Sequence, residues 1–189
     1  MIRDLILKNR SYRRFFEKEK ISRDTLVELV DLARLSPSAR NAQSLKYYLS
    51  ASSETNDIIF PHLSWAGYLT DWNGPEKGER PSAYIILLND TTLSANYFCD
   101  DGIASQSILL GAVEKELGGC IVASINRRSL QLALEIPEQY HIVHIIALGK
   151  PKEVVILEEI RDGDVKYWRD KEQRHHVPKR KLDDLIINQ

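Results

Sequence analysis

Three short apolar runs constrain the fold of this 189-residue chain more than any other feature. They are residues 83–88, 120–125 and 142–148, and each is bounded by polar or turn-forming residues. Residues 83–88 are apolar without interruption, which is typical of a strand that is buried on both faces. We therefore expect a sheet that is covered by helices on both sides.

Helical patterns lie before and between these runs. Apolar residues at helical spacing predict a short helix over residues 2–8. Ser22 is a good N-cap and predicts a second helix, which ends before Pro37. A weaker helical pattern lies within residues 54–69, and Asn126 is placed to cap a further helix. Strands that alternate with helices predict a mixed α/β or α+β sheet, and the length suits one domain over the whole chain.

The longest predicted helix begins at Asp100 or Asp101 and is stopped by Gly118-Gly119. From Ile103 to Val113 it is apolar nearly all round, which predicts burial on most sides. It is either the central core helix or part of a subunit interface, and the two interpretations are compatible.

Residues 9–15 read Asn-Arg-Ser-Tyr-Arg-Arg-Phe and place three guanidiniums and a hydroxyl within five positions. Arginine presents paired donors that match phosphate oxygens. A solvated basic loop is the alternative interpretation. Because the formal net charge is only −1, an anion site here would be local, and no general attraction to nucleic acid or membranes is expected.

Two loops and the C-terminal region are also distinctive. Residues 36–44 form a polar loop that leads into a predicted strand over residues 46–51, and residues 71–81 are predicted to form a mobile loop that covers a site. Tyr68 and Trp72, near the second loop, either line a substrate cleft or serve packing.

The C-terminal forty residues look too polar to pack wholly on their own core. Strand-like residues flank a turn at Asp162-Gly163, and a basic segment precedes a short amphipathic tail. The extension is either an arm that reaches a neighbouring subunit or a flexible tail. His175 and His176 would point apart in an extended chain, so we expect solvent-facing or interface histidines rather than a shared metal site.

Together these features resemble the nitroreductase family of FMN-dependent oxidoreductases. The family's Arg-Arg-Ser-x-Arg-x-Phe segment appears as residues 9–15, with Asn9 at the first basic position. Its Pro-Ser-Ser-x-Asn-x-Gln-Pro-Trp loop appears as residues 37–45, which keep Asn41 and Gln43 but lose the Pro-Trp pair. The apolar helix and residues 118–124, 134–137 and 148–151 follow in the family's order, so the resemblance spans almost the whole chain.

The resemblance implies an α+β nitroreductase-like fold, with a mixed sheet covered by helices on both faces and a C-terminal arm. It also implies a homodimer with FMN at the subunit interface. The cofactor-binding residues that we infer from it and from side-chain chemistry are Arg10, Ser11, Arg13, Pro37, Ser38, Asn41, Gln43, Ile121, Val122, Ala123, Lys179 and Arg180.

Different parts of the cofactor would meet different members of this set. The arginines, Ser11 and the C-terminal cations suit the phosphate, and the Asn41 amide suits a polar contact at the ring edge. By resemblance, residues 121–123 lie along the ring, where a backbone N–H reaches the hydride-accepting nitrogen. No dedicated catalytic side chain and no metal are expected, because the cofactor carries the chemistry.

The implied activity is a ping-pong transfer of electrons from NAD(P)H to a nitroaromatic, a quinone or a similar electron-poor acceptor. The alternatives are a flavin-binding or storage protein without turnover, and an anion-binding or nucleic-acid-binding module that uses the basic patches. Motifs of Rossmann, Walker, serine-hydrolase and zinc-protease sites are absent from the sequence.

The expected setting is a soluble protein in a reducing cytoplasm. Cys99 and Cys120 lie in apolar contexts and offer no disulfide framework, so both are predicted to be small core residues. The sequence shows neither a signal peptide nor a membrane span.

Overall fold

The computed structural model describes residues 1–188. Within this range the helices are α1 (Ile2–Lys8), α2 (Arg23–Leu35), α3 (Ser53–Ile59), α4 (Asp100–Glu114) and α5 (Arg127–Ala133). The strands are β1 (Leu45–Ser50), β2 (Ala83–Asp90), β3 (Gly118–Val122), β4 (Tyr140–Gly149), β5 (Val155–Glu159), β6 (Trp168–Arg169) and β7 (His175–Lys179). No helix of residues 1–188 is long and apolar enough to cross a bilayer.

The central sheet has the strand order β1-β2-β4-β3, and its neighbouring strands are antiparallel. All eight residues of β2 are buried, as its continuous apolar run predicted. The strand predicted over residues 120–125 was misplaced. The observed strand, β3, includes Gly118 and Gly119 and ends at Val122. Gly119 pairs with Leu148, and a Cβ on it would lie 2.7 Å from Leu109 Cδ2 and 2.8 Å from the Ala147 carbonyl oxygen. The glycines therefore permit close packing within the sheet rather than ending α4.

Helices cover both faces of this sheet. Buried residues of α2 and α4 pack on the face that includes Ile85 and Ile146. The opposite face, which includes Ile86 and Ile145, packs against α3, α5 and Trp65. The predicted α+β fold with helices on both faces is confirmed.

The helix starts follow the predicted capping chemistry. The Ser22 hydroxyl accepts a hydrogen bond of 3.0 Å from the backbone N–H of Thr25 and begins α2, and Asn126 caps α5 in the same way. Ile21 is buried beside Leu26, as expected of a hydrophobic staple.

A second, three-stranded sheet has the order β5-β7-β6. The turn predicted at Asp162-Gly163 is present, and both residues have positive φ. The strands on either side of it do not pair with each other, however. β7 lies between them, parallel to β5 and antiparallel to β6, because the chain turns back a second time after β6.

The C-terminal segment contacts its own chain as far as β7. The ring of Tyr68 lies 4.9 Å from that of Tyr167, and the Arg169 guanidinium lies 4.2 Å from the centre of the Trp72 ring. The segment thus packs in part on its own chain, while Val154, Val165 and Trp168 stay exposed, as expected of an extension that does not pack wholly on its own core. Residues 180–188 are exposed along their whole length.

Candidate functional site

The arginine segment, residues 9–15, leaves α1 and runs beside the start of β3. Ser11 forms an isolated parallel bridge with Gly119, and the backbone N–H of Tyr12 donates to the Gly119 carbonyl at 3.0 Å. Phe15 is fully buried and occupies the space beside Gly149. These contacts anchor the segment at Ser11 and at Phe15. Arg13 and Arg14, which lie between the two anchors, are therefore held along the edge of the sheet.

The segment opens into a cavity of about 260 Å³ that we call the arginine cavity. It is lined by Asn9, Arg10, Ser11, Arg13, Tyr167, His175, Val177 and Lys179. The structure thus brings together four of the predicted phosphate residues, and Lys179 comes from β7 of the same chain. Arg180 follows Lys179 but does not line this cavity. Tyr167 and His175 were missed, because nothing local in the sequence shows that β6 and β7 fold back onto residues 9–15.

Both arginines of the cavity are oriented by carbonyl groups. Arg10 donates to the Ile6 carbonyl at 2.9 Å, and Arg13 donates to the Ser11 carbonyl at 3.2 Å. The Arg13 guanidinium also lies 5.0 Å from the centre of the Tyr167 ring. Since each guanidinium has five N–H groups, both keep donors for an anion.

Arg14 points elsewhere. It forms a bidentate pair with Glu79, with distances of 2.5 and 2.7 Å, and Lys152 lies 2.8 Å from the same carboxylate. The hydrogen bond from Arg14 is the main reason that the pKa of Glu79 falls to about 2. Asn9 donates to Gln106 at 3.3 Å. Arg14 therefore does not replace the charge that the family has at position 9.

A buried ion pair supports the segment from behind. The Glu153 carboxylate accepts a hydrogen bond from the backbone N–H of Arg13 and lies 2.9 Å from Arg169 Nη2. Neither side chain has more than 8% of its surface exposed. Desolvation lowers the pKa of Arg169, although the carboxylate opposes this effect. Sequence reasoning missed Glu153, which follows β4 without a recognisable motif.

His175 closes the other side of the arginine cavity. It is only 1% exposed, so the prediction of a solvent-facing or interface residue is wrong. Burial, then the nearby Arg13 and Arg169 charges, lowers its pKa to about 4, and the ring is neutral at pH 7. His176 points the other way and stacks on Trp168 at 4.1 Å, as expected of adjacent residues in a strand.

A second cavity of about 100 Å³, the strand cavity, adjoins the first, because Arg13 lines both. Its other lining residues are Ser64, Trp65, Ala66 and residues 120–124. The predicted residues Ile121, Val122 and Ala123 therefore lie next to the arginine cavity. Trp65 was missed, although it contributes a buried indole N–H that has no hydrogen-bond partner within residues 1–188.

Two further residues, Arg127 and Cys120, lie at or next to β3 and the strand cavity. Arg127 donates to the Ala123 carbonyl at 3.1 Å and to the Ile142 carbonyl at 3.0 Å, which holds the chain where β3 ends. Cys120 is buried, and burial raises the pKa of its thiol. Cys99 is exposed, so its predicted place in the core is wrong.

The polar loop after α2 forms a separate cavity of about 220 Å³, the loop cavity, which shares no lining residue with the other two. Pro37, Ser38 and Gln43 line it together with Asp100. Asn41 is exposed and does not line it. Within one chain, this loop and the arginine segment therefore line different cavities.

Asp100 holds this loop in an unusual conformation. The buried carboxylate accepts hydrogen bonds of 2.8 Å from the Ser38 hydroxyl and from the backbone N–H of Ala39. Arg40, Asn41 and Gln43 all have positive φ, which is costly for residues other than glycine. The hydrogen bonds from Asp100, at the start of α4, therefore hold the loop in a backbone conformation that its own residues disfavour.

The donor set fits a phosphate joined to a flat ring. Arg10, Arg13 and Lys179 face the arginine cavity, and the buried carboxylate behind it, Glu153, is already paired with Arg169. The adjoining strand cavity runs along residues 120–124, where backbone groups can meet a ring. The residues present therefore fit FMN.

Comparison with known proteins finds similarity to the nitroreductase family. The model of the nitroreductase family matches residues 6–68, which include the arginine segment and the polar loop. A putative NAD(P)H nitroreductase of Bacillus subtilis, YodC, is 23% identical, with 78% of this chain and 88% of the relative covered.

Solved structures show the same fold. A nitroreductase family protein from Clostridium novyi NT is 25% identical with a TM-score of 0.65, and the match covers 80% of this chain and 86% of that protein. An FMN-dependent nitroreductase from Clostridium difficile R20291 is 20% identical with a TM-score of 0.63. This match covers 87% of this chain and 94% of that protein. The resemblance to the nitroreductase family that the motifs indicated is confirmed in sequence and in fold.

Proposed function

We propose that this nitroreductase-like chain is an FMN-dependent oxidoreductase that takes electrons from NAD(P)H and passes them to nitroaromatic, quinone or similar acceptors. The observation that carries the proposal is the position of Arg13, which lines both a cation-rich cavity and the adjoining cavity along residues 120–124. The names of the Bacillus relative and of the FMN-dependent Clostridium protein support the same donor and cofactor.

Each part of FMN has residues to hold it. Arg10, Ser11, Arg13 and Lys179 would bind the phosphate, with Arg180 following on the exposed tail. Residues 121–123 would lie along the ring. We further propose that these parts belong to a single FMN-binding domain over residues 1–189.

Bound FMN would supply the redox chemistry, because it accepts hydride from NAD(P)H and then reduces the acceptor in a ping-pong cycle. The protein's own residues bind, orient and exclude water. His175 is neutral and directed at Arg13, and Glu153 is paired with Arg169, so both act as supports for the phosphate cations. No side-chain nucleophile takes part in this account.

A homodimer would complete the site. The polar loop with Ser38, Asn41 and Gln43 lies in a different cavity from Arg13 on one chain, so a second copy is proposed to present its loop to the ring. α1 has no buried residue, and its apolar side chains Ile2 and Leu7 are exposed, which suits an interface.

Mixing two variants tests this arrangement. Arg13→Ala and Asn41→Ala are each expected to weaken FMN binding as homodimers, whereas a mixed dimer would regain one intact site. Light scattering would give twice the chain mass. A monomer that binds FMN with unchanged affinity would contradict the proposed interface site.

The function itself is tested by absorbance and turnover. The purified protein is expected to absorb in the flavin band, to bleach rapidly with NAD(P)H and to regain colour with a nitro compound or a quinone. A slow response that does not depend on the acceptor would indicate a flavin storage protein. A colourless protein whose ligand affinity falls steeply with salt would indicate an anion-binding or nucleic-acid-binding module. We assign the protein to the reducing cytoplasm as part of this proposal.

A further inference from the structure

A polar cavity of about 550 Å³ lies outside the proposed FMN site and shares no lining residue with the three cavities described above. It lies between α3 and the loop that precedes β2. We call it the Phe60 cavity, after the aromatic residue on its wall. The lining residues that matter here are Lys20, Phe60, Lys77, Arg80, Ser82 and Tyr84.

Positive charge exceeds negative charge around this cavity. Lys20, Lys77 and Arg80 face two carboxylates, those of Glu17 and Asp57. The two lysines form no salt bridge within residues 1–188. The lining therefore has an excess of one positive charge, which suits a ligand with a single negative charge.

Neither carboxylate neutralises Arg80 effectively. Glu17 accepts hydrogen bonds from the backbone N–H groups of Gly78 and Arg80, the latter at 3.3 Å, so it serves the loop backbone. Asp57 is 73% exposed in its side chain, and its Oδ1 lies 3.7 Å from Arg80 Nη1. A solvent-exposed pair at this distance contributes little, and a ligand carboxylate can compete with it.

Two buried polar atoms of this wall have no partner. Ser82 Oγ and Arg80 Nε make no hydrogen bond within residues 1–188, and Ser82 is only 1% exposed. The nearby Asn56 amide forms its hydrogen bonds elsewhere. It accepts from Ser50 Oγ at 2.7 Å and donates to the Ser82 carbonyl at 2.8 Å. Unpaired buried groups are rare and costly, so both atoms lower the stability of the folded protein.

The cavity also has an aromatic wall. The Arg80 guanidinium lies 4.1 Å from the centre of the Phe60 ring, which restricts its orientation, and the buried Tyr84 lines the same cavity. A fixed planar guanidinium matches a carboxylate with two parallel hydrogen bonds. The neighbouring ring offers a surface on which a flat apolar body can pack.

We propose that the Phe60 cavity is a second ligand site, which binds a small aromatic carboxylate. The carboxylate pairs with Arg80, with support from Lys20 and Lys77. The aromatic body packs against Phe60. This site does not depend on FMN.

Titration of the full-length protein with benzoate, followed by calorimetry or NMR, tests the proposal. We expect saturable binding with a dissociation constant on the order of 1 mM or below. Arg80→Gln should weaken it about tenfold or more, as expected for loss of a charge-assisted hydrogen bond. Lys77→Gln, an exposed change that spares the fold, should weaken it less. Arg34→Gln is the matched control, because Arg34 is exposed, pairs with Asp31 and does not line the Phe60 cavity.

Ser82→Ala adds an independent readout. Removal of an unpaired buried hydroxyl should raise the melting temperature of the free protein and leave benzoate binding near the wild-type value, because the hydroxyl is not open to the cavity. Neutral benzamide should not bind, and saturating FMN should leave benzoate binding unchanged. The proposal is overturned if benzoate shows no saturable binding, if Arg80→Gln and Lys77→Gln both bind like the wild type, or if FMN displaces the probe.

Discussion

Arg13 Nη1 and His175 Nε2 lie 3.4 Å apart in the wall of the arginine cavity. The neutral imidazole accepts from the guanidinium, and the backbone N–H of Arg13 is held by Glu153. A residue from β7 and a residue that follows β4 thus fix an arginine near the N-terminus. The arginine that the motif assigns to phosphate is positioned by parts of the chain more than a hundred residues away.

Stability should depend on the protonation of His175. Its pKa falls to about 4 in the folded protein from an ordinary value of 6.5, so the unfolded chain binds a proton more readily. Its contribution to stability is therefore complete above pH 6.5 and is lost progressively as the pH falls towards 4. Between pH 7 and pH 5 the loss should be about 1–2 kcal/mol.

Urea unfolding of wild type and His175→Gln at several pH values measures this contribution. The wild type should lose more free energy of unfolding than the variant between pH 7 and pH 5, because the variant has no imidazole to protonate. Parallel curves for the two proteins would show that His175 is not held neutral in the fold.

Glu153→Gln should destabilise the protein strongly. The substitution leaves the Arg169 guanidinium buried without a countercharge and weakens the acceptor of the Arg13 backbone N–H. Breaking one partner of a buried pair costs about 3–5 kcal/mol. Glu116→Gln, at an exposed pair with Lys150, is the matched control and should leave the free energy of unfolding unchanged. Similar values for both variants in chemical denaturation would refute the role of Glu153.

Gly119→Ala should also destabilise the protein, by about 1–3 kcal/mol. The new methyl group would meet Leu109 and the Ala147 carbonyl at 2.7 and 2.8 Å, and the backbone has little room to move. Gly163→Ala provides a contrast, because its Cβ meets nothing within 4 Å and its cost arises from positive φ alone. Thermal unfolding of the two variants checks the ranking, and a larger loss at Gly163 would contradict it.

Arg14→Gln should separate stability from binding. The Arg14 and Glu79 pair is partly exposed, so its loss should cost about 1 kcal/mol and increase protease cleavage in the loop at residues 71–81. FMN affinity should stay near the wild-type value, since Arg14 does not line the arginine cavity. A selective loss of FMN affinity with riboflavin binding intact would place Arg14 in the phosphate site after all.

Local sequence patterns predicted most of the central fold. Largely apolar runs marked β2 and β4, and Ser22 and Asn126 marked helix starts, because these signals act within a few residues. β3 was misplaced, since a Gly-Gly pair indicates a turn in sequence and its value to the sheet depends on Leu109 and Ala147. Tertiary packing therefore reversed a local preference.

The site was only partly predictable for the same reason. Arg10, Ser11 and Arg13 are adjacent in sequence, so their common cavity was foreseeable from the motif. Tyr167 and His175 join them only because β7 inserts between β5 and β6, and neither a period nor a motif indicates that order.

Titration of wild type and Arg13→Ala with FMN and with riboflavin tests the central claim most directly. Loss of a charge-assisted pair with the phosphate should cost about 1.5–3 kcal/mol of FMN binding, or about one to two powers of ten in dissociation constant. Riboflavin lacks the phosphate, so it should bind both proteins about equally. An equal loss for both ligands in Arg13→Ala would mean that Arg13 supports the fold and that the phosphate binds elsewhere.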